Sequence, residues 1–181
     1  MKLLKTISIL LAMLLAFTTI SMAEDTAEEI DNDANEALIV FYKEVNGGKK
    51  FLDNAKGYVV FPDVKEAGFF VGGKYGEGAL RVNGVTKHFY SMTAASIGYQ
   101  VGVQEHSVLI AFVSEASLNN FIKSNGWEAG VDGSITVADW GKNKDITSIS
   151  YEKPIIGFIY GEQGLMAGVS IEGTKFKKII P

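Results

Sequence analysis

The sequence predicts an α+β fold: a predominantly antiparallel, strongly coiled β-sheet or barrel-like sandwich, with an N-terminal amphipathic helix and one inserted helix. Three observations carry this. Residues 25–45 and 114–124 each repeat apolar side chains at steps of three and four, the period of a helix with one buried face. From Gly57 onward the rest of the chain is glycine-rich, with Val, Ile, Tyr and Phe between the glycines, residues that favour pleated, half-buried strands. Asn83-Gly84, set between Val82 and Val85, is the two-residue signature of a hairpin turn.

In chain order, residues 1–23 read as a secretory signal peptide: basic Lys2 and Lys5, an apolar run over 7–20, then the small-residue end Ser21-Met22-Ala23. The competing reading is a retained membrane anchor. A spanning helix needs ~20 apolar residues, whereas this run has 14, including Ser8, Thr18 and Thr19. The expectation is cleavage after Ala23 and a soluble, exported, periplasmic protein, with no cysteine to carry a lipid anchor. Residues 24–181 then form one domain of ordinary length.

Within it, Ala27, Ile30, Ala34, Ala37, Leu38, Phe41 and Val45 mark one face of a helix over 25–45. Asp25 or Thr26 caps it, acids fill its first turns, and Asn46-Gly47-Gly48 ends it. A short second helix is expected over 49–54. Strands are expected over 57–61, 67–74, 78–82, 85–90, 96–103, 107–113, 129–137, 147–151, 155–160 and 165–172. Ser114 caps the inserted helix, whose stripe is Leu118, Phe121 and Ile122, and Asn125-Gly126 closes it. Many glycines are spaced by four (68, 72, 76; 98, 102; 126, 130; 157, 161; 164, 168). In a strand that spacing puts them on one face, where bare backbone allows sharp coiling or close approach of another chain segment.

Charge narrows the function. All 21 acids and 15 of the 17 bases lie beyond Ala23, leaving that part at −6; seven of the acids fall within 24–36, so 37–181 is nearly neutral. A basic nucleic-acid-binding surface is disfavoured. The absence of cysteine excludes disulfides, thiolate metal sites and a cysteine nucleophile, and only two histidines remain.

Local motifs for chemistry are incomplete. The run from Gly68 to Lys74 matches a phosphate-binding loop through its lysine, but Tyr75 stands where a Ser or Thr is required and no helix opens there, so no nucleotide is expected. Gly168-Val169-Ser170 begins like a nucleophile elbow without its final glycine or helix. His88 and His106, 18 apart and without cysteine, do not resemble a zinc ligand set. No cofactor and no metal is expected. What remains is surface: Phe69, Phe70 and Tyr75 stand near Lys65, Lys74 and Arg81, and Lys175, Lys177 and Lys178 flank Phe176. Mixed aromatic and basic segments suit an anionic membrane surface. The alternative is that the aromatics are core and the lysines solvated.

Three segments together resemble the SYLF domain family. Residues 55–79, running from Ala55-Lys56-Gly57-Tyr58 to Gly76-Glu77-Gly78-Ala79, resemble its opening. Residues 96–104 (Ser96-Ile97-Gly98-Tyr99 to Gln104) look like its middle motif, and residues 164–173 (Gly164-Leu165-Met166 to Gly173) are similar to its closing motif. The resemblance covers roughly 34–176 and implies a non-enzymatic lipid-binding domain. The family's membrane contact is associated with a basic amphipathic N-terminal helix, whereas residues 24–36 here are acidic, which favours packing of that helix on the sheet. The leading expectation is a periplasmic protein that contacts anionic phospholipid headgroups through Phe69, Phe70, Lys74, Tyr75, Arg81, Lys175, Lys177 and Lys178. The second is an interaction module that docks an envelope protein through a glycine-rich sheet face, and a hydrolase using Ser170 or a carboxylate pair is third.

Overall fold

The computed structural model describes residues 25–68, 71–97, 102–138, 146, 153–161, 164–166 and 170–181. Helix α1 (Ala27–Glu44) opens on the capping box that its sequence allows: the Glu29 amide donates to Thr26 Oγ1 at 3.3 Å, and the Thr26 amide donates to Glu29 Oε2 at 2.9 Å. Gly47, at φ 78°, turns the chain into α2 (Gly48–Asn54). Four long strands follow: β1 (Gly57–Gly68), β2 (Val71–Val82), β3 (Val85–Ile97) and β4 (Gly102–Phe112). Asn83 and Gly84 both take positive φ, 53° and 75°, so the β2–β3 turn is the left-handed type that the right-handed twist of a hairpin favours. Helix α3 (Glu115–Lys123), capped by Ser114, leads to the short strands β5 (Trp127–Glu128) and β6 (Thr136–Val137). Strands β7 (Ile155–Gly161), β8 (Gly164–Leu165) and β9 (Lys175–Ile179) complete the described chain.

The strands form one nine-stranded sheet in the order β5-β9-β3-β2-β1-β4-β7-β6, with β8 paired to β7. Every pairing among these strands is antiparallel except β6 with β7. The sheet curls strongly into a half-barrel, as the sequence predicts.

Side-chain alternation gives the sheet two cores. Tyr58 and Val60 of β1, Leu109 and Ala111 of β4, and Ile156, Phe158 and Tyr160 of β7 share a cluster with Ile30, Ala34, Leu38 and Phe41 of α1. The Phe41 ring lies 5.0 Å from that of Phe158 and 5.5 Å from that of Tyr160, whose hydroxyl donates to the Ala37 carbonyl at 3.0 Å. The opposite face carries Val59, Phe61, Val108, Ile110 and Phe112, packed with Leu118 and Phe121 of α3, Trp127 and Phe176. Phe121 is the centre there, with ring centroids of Tyr90, Phe112, Trp127 and Phe176 at 4.7, 4.9, 5.6 and 5.8 Å. Because both faces are covered, β7 is buried at six successive positions rather than alternating.

The strand boundaries differ from expectation where glycine pairs hide a turn. Residues 67–74 are not one strand: Gly68 pairs with Gly72 across the β1–β2 hairpin, so the run is divided between two strands. The expected strand over 96–103 likewise divides between the end of β3 and the start of β4. Over 129–137 there is an isolated bridge between Ala129 and Gly133 and the two-residue β6. The strand expected over 147–151 lies outside the described residues. The sequence reading took residues 175–178 as a surface patch and did not predict β9; its Phe176 is almost fully buried.

The glycine argument holds at some positions and fails at another. A Cβ on Gly78 would stand 2.2 Å from the Val60 carbonyl oxygen and 2.6 Å from the Phe61 ring; one on Gly157 would stand 2.8 Å from Ile135 and 2.9 Å from Ile171. At Gly161 no atom of the described residues lies within 4 Å, so crowding by them does not explain that glycine. Gly57, Gly76, Gly78 and Gly157 are packed against other parts of the chain and do not form an open, flat docking face.

Candidate binding surface

The residues expected to meet a membrane separate into three groups. Phe69 and Phe70 lie outside the described residues. Arg81 is buried and committed to α1: Nη1 donates to Asn35 Oδ1 at 2.8 Å, and Nη2 donates to Asp31 Oδ1 at 2.9 Å and to the Asp31 carbonyl at 3.2 Å. The same carboxylate accepts from the Thr86 hydroxyl. Hydrogen bonds from Thr86 and Arg81, with the Arg81 charge, together outweigh partial burial and hold the Asp31 carboxyl below its ordinary value. The Arg81 head is therefore a clasp between β2 and α1, withdrawn from any external partner.

Lys74 is withdrawn too. It pairs with Glu66 at 3.3 Å, with side chains 13% and 14% exposed, on the α3 side of the sheet. His106 is part of the same neighbourhood, 5% exposed with no partner for Nδ1. Burial pushes the imidazole down, the Lys74 charge pushes it further, and Glu66 partly offsets both. Tyr75, half-buried on the α1 side, donates its hydroxyl to Glu77. Lys74 thus sits mid-strand in an ion pair, with β2 continuing through Tyr75 and Gly76, which is not the geometry of a phosphate loop. Among the described residues no three His, Asp or Glu side chains converge as metal ligands.

The C-terminal lysines are different. β9 alternates, so Phe176 points into the core while Lys175 and Lys177 stand on the other face, paired in register with Thr93 and Ser91 of β3. Lys175 is engaged with Glu128 at 3.4 Å. Lys178 reaches around the edge: its Nζ lies 6.0 Å from the Tyr90 ring centroid and 3.5 Å from the Ile122 carbonyl in the last turn of α3. That places it beside Lys123, and its charge pushes His88 down after partial burial. Lys87 precedes His88 at a bulge where β3 slips register against β2. Lys87, Lys123, Lys177 and Lys178 are all exposed, and none is within ion-pair reach of a carboxylate among the described residues. Lys177 stands on the opposite face of β9 from Lys178, so the four lysines flank this corner of the sheet on both faces. Ile180, 94% exposed, directly follows β9, and Val85, 56% exposed, opens β3. The sequence reading missed Lys87 and Lys123, because only the pairing of β9 with β3 and its contact with α3 bring them near β9.

Residues 93–178 match the Ysc84 family model, described as Las17-binding protein actin regulator. This part of the chain thus matches the SYLF domain family that the sequence resembles. No curated protein matches the chain. The matched span runs from β3 to β9 and contains the middle and closing motifs and three of the four corner lysines; the opening motif at 55–79 lies before it. SYLF domains are binding modules associated with lipid and with protein partners, and a two-core half-barrel with a charged rim fits that class.

Proposed function

We propose that this SYLF protein is a non-enzymatic, exported lipid-binding module that meets anionic phospholipid headgroups at the periplasmic face of the cell envelope. The observation that carries this reading is the corner itself: four exposed lysines with no ion-pair partner among the described residues, Lys178 beside Lys123 at the end of α3 and Lys177 on the opposite face of β9, with the exposed Ile180 following that strand. Lysines supply attraction to headgroup phosphates, and a protruding apolar side chain suits the boundary of the acyl layer. Each base contributes ~1 kcal/mol near an anionic surface, so the corner is worth about 4 kcal/mol, enough for reversible association and too little for anchoring. The low net charge of 37–181 supports local rather than whole-molecule attraction, and the exported location rests on reading residues 1–23 as a leader.

Vesicle flotation tests it. The protein should float with phosphatidylglycerol-rich vesicles, remain behind with phosphatidylcholine vesicles, and detach as salt shortens the Debye length. Changing Lys123, Lys177 and Lys178 together to Gln removes about 3 kcal/mol and should weaken flotation roughly a hundredfold. Flotation that ignores salt and this triple change would sink the electrostatic reading.

A further inference from the structure

The α3 side of the corner has a geometry of its own. His88 and Tyr90 stand two apart on β3 and so share that face of the sheet, and Lys178 is the β9 partner of Tyr90. The Tyr90 ring is their common floor: its centroid lies 6.5 Å from that of His88, edge to face, and 6.0 Å from Lys178 Nζ. Lys178 spends one of its three N–H bonds on the Ile122 carbonyl at 3.5 Å, which ties it to the last turn of α3, where Lys123 comes next. A helix C-terminus carries about half a negative charge, so two lysines overcompensate it. His88 is half-buried, and the charge acting on it among the described residues is that of Lys178, which pushes the imidazole down after burial. The groups facing it supply no negative charge. Leu80, opposite on β2, is apolar, and burial pushes the Tyr90 phenol up to about 12, so it stays protonated, with a hydroxyl that has no hydrogen-bond partner. Among the described residues no carboxylate is in ion-pair reach of Lys123 or Lys178.

We propose that His88, Lys178 and Lys123 form a binding site for a phosphate group on the α3 face of the β3–β9 edge, with the Tyr90 ring as its floor. The donors come from three elements, β3, β9 and α3, and a tetrahedral oxyanion presents several acceptor oxygens to them at once. Lys177 takes no part, since it stands on the other face of β9. The site gives the headgroup reading its recognised group and rests on that reading for a membrane source only, because free phosphate has the same chemistry. A phosphate seated beside Lys178 reverses the field at the imidazole: the proton that Lys178 repels, the anion attracts. Binding is therefore coupled to proton uptake at His88 and is tighter on the acid side of the histidine range.

Side-chain NMR of the two histidines, titrated with pH in the full chain, tests this at equal ionic strength in chloride and in inorganic phosphate. Phosphate should raise the proton affinity of His88 about threefold or more and leave that of His106, on β4, unchanged. Lys178→Gln should abolish the response, whereas Lys50→Gln, which removes an exposed charge from α2, should keep it. Flotation is the lipid arm. With phosphatidylglycerol vesicles the wild type should float more at about pH 6 than at about pH 8, and His88→Gln should lose that difference. A His88 that responds to inorganic phosphate in a protein that does not float assigns the site to free phosphate and refutes only the lipid reading. Loss of the pH dependence in His88→Gln, without a response to inorganic phosphate, upholds the site for headgroup phosphate. An unmoved His88 overturns the site when flotation is absent or keeps its pH dependence in His88→Gln, and in the second case the lipid reading stands. The wild-type titration needs no substitution, so a variant that circular dichroism shows to be unfolded leaves the test intact.

Discussion

Gly78→Ala tests the packing of the half-barrel most directly. The new methyl carbon would begin 2.2 Å from the Val60 carbonyl oxygen and 2.6 Å from Phe61, both on the neighbouring strand β1. Neither obstacle yields cheaply, since Val60 is fully buried backbone and Phe61 is locked into the core beneath the Phe176 ring, 5.6 Å away. Overpacking of this kind costs ~1–3 kcal/mol, and a backbone obstacle puts Gly78→Ala at about 3 kcal/mol. At roughly 2–4 °C per kcal/mol for a domain of this size, the melting temperature should fall by about 6–12 °C. Gly161→Ala is the control: no atom of the described residues lies within 4 Å of its added carbon and its φ is not positive, so the loss of unfolded-state freedom should leave it neutral or up to ~1 kcal/mol more stable. Thermal unfolding followed by circular dichroism measures both. Equal effects at the two positions, or an unchanged midpoint for Gly78→Ala, would show that the spacing of β1 and β2 is softer than the structure implies.

Two further outcomes follow from buried polar groups. Arg81→Met should cost about 2 kcal/mol in a denaturant titration, less than the 3–5 typical of a broken buried pair because the Asp31 side chain is 38% exposed and can regain water; a loss under half that would mean the clasp holds α1 no better than its apolar stripe alone. His106 is held below the ordinary value of ~6.5 by burial and Lys74, so the unfolded chain takes the proton first. Its contribution to stability is therefore full above the ordinary histidine range and is lost as pH falls through the lowered folded value. The denaturation midpoint should drop with acidification in the wild type and less steeply in His106→Gln; parallel slopes would refute the assignment.

What could be read in the sequence was whatever local periodicity encodes. Helix α1 was legible because its apolar stripe recurs at helical spacing and Asp25 or Thr26 stands ready as a cap; the structure uses Thr26, with Glu29 closing a capping box. The β2–β3 turn was legible because Asn83-Gly84 tolerates positive φ at both positions. Strand β9 was not: five residues with three lysines look like a surface patch, and the burial of Phe176 depends on Phe121 and Trp127 far away in sequence. Arg81 misled for a related reason. An arginine beside aromatics suggests a surface, and nothing local shows that Asp31 and Asn35, about fifty residues earlier, will enclose its head. The candidate site was half legible: Lys177 and Lys178 were in view, while Lys87 and Lys123 join them only through sheet register and the docking of α3.

The placement of those lysines also bears on why they are lysines. β5 covers β9 only at Lys175 and Phe176, so among the described residues no strand pairs with the outer edge of 177–179, where another chain could add one. Charge on an edge strand discourages such pairing, and this protective role alone explains why Lys177 and Lys178 are charged. It does not reach Lys87, which belongs to β3 rather than to β9. Nor does it explain Lys123, which belongs to a helix and has no edge to protect. Four exposed charges of one sign, drawn from a helix and two strands, are what the proposed headgroup contact would use. The same strand that closes the second core through Phe176 carries two of these lysines, so the proposed contact would rest on a rigid element.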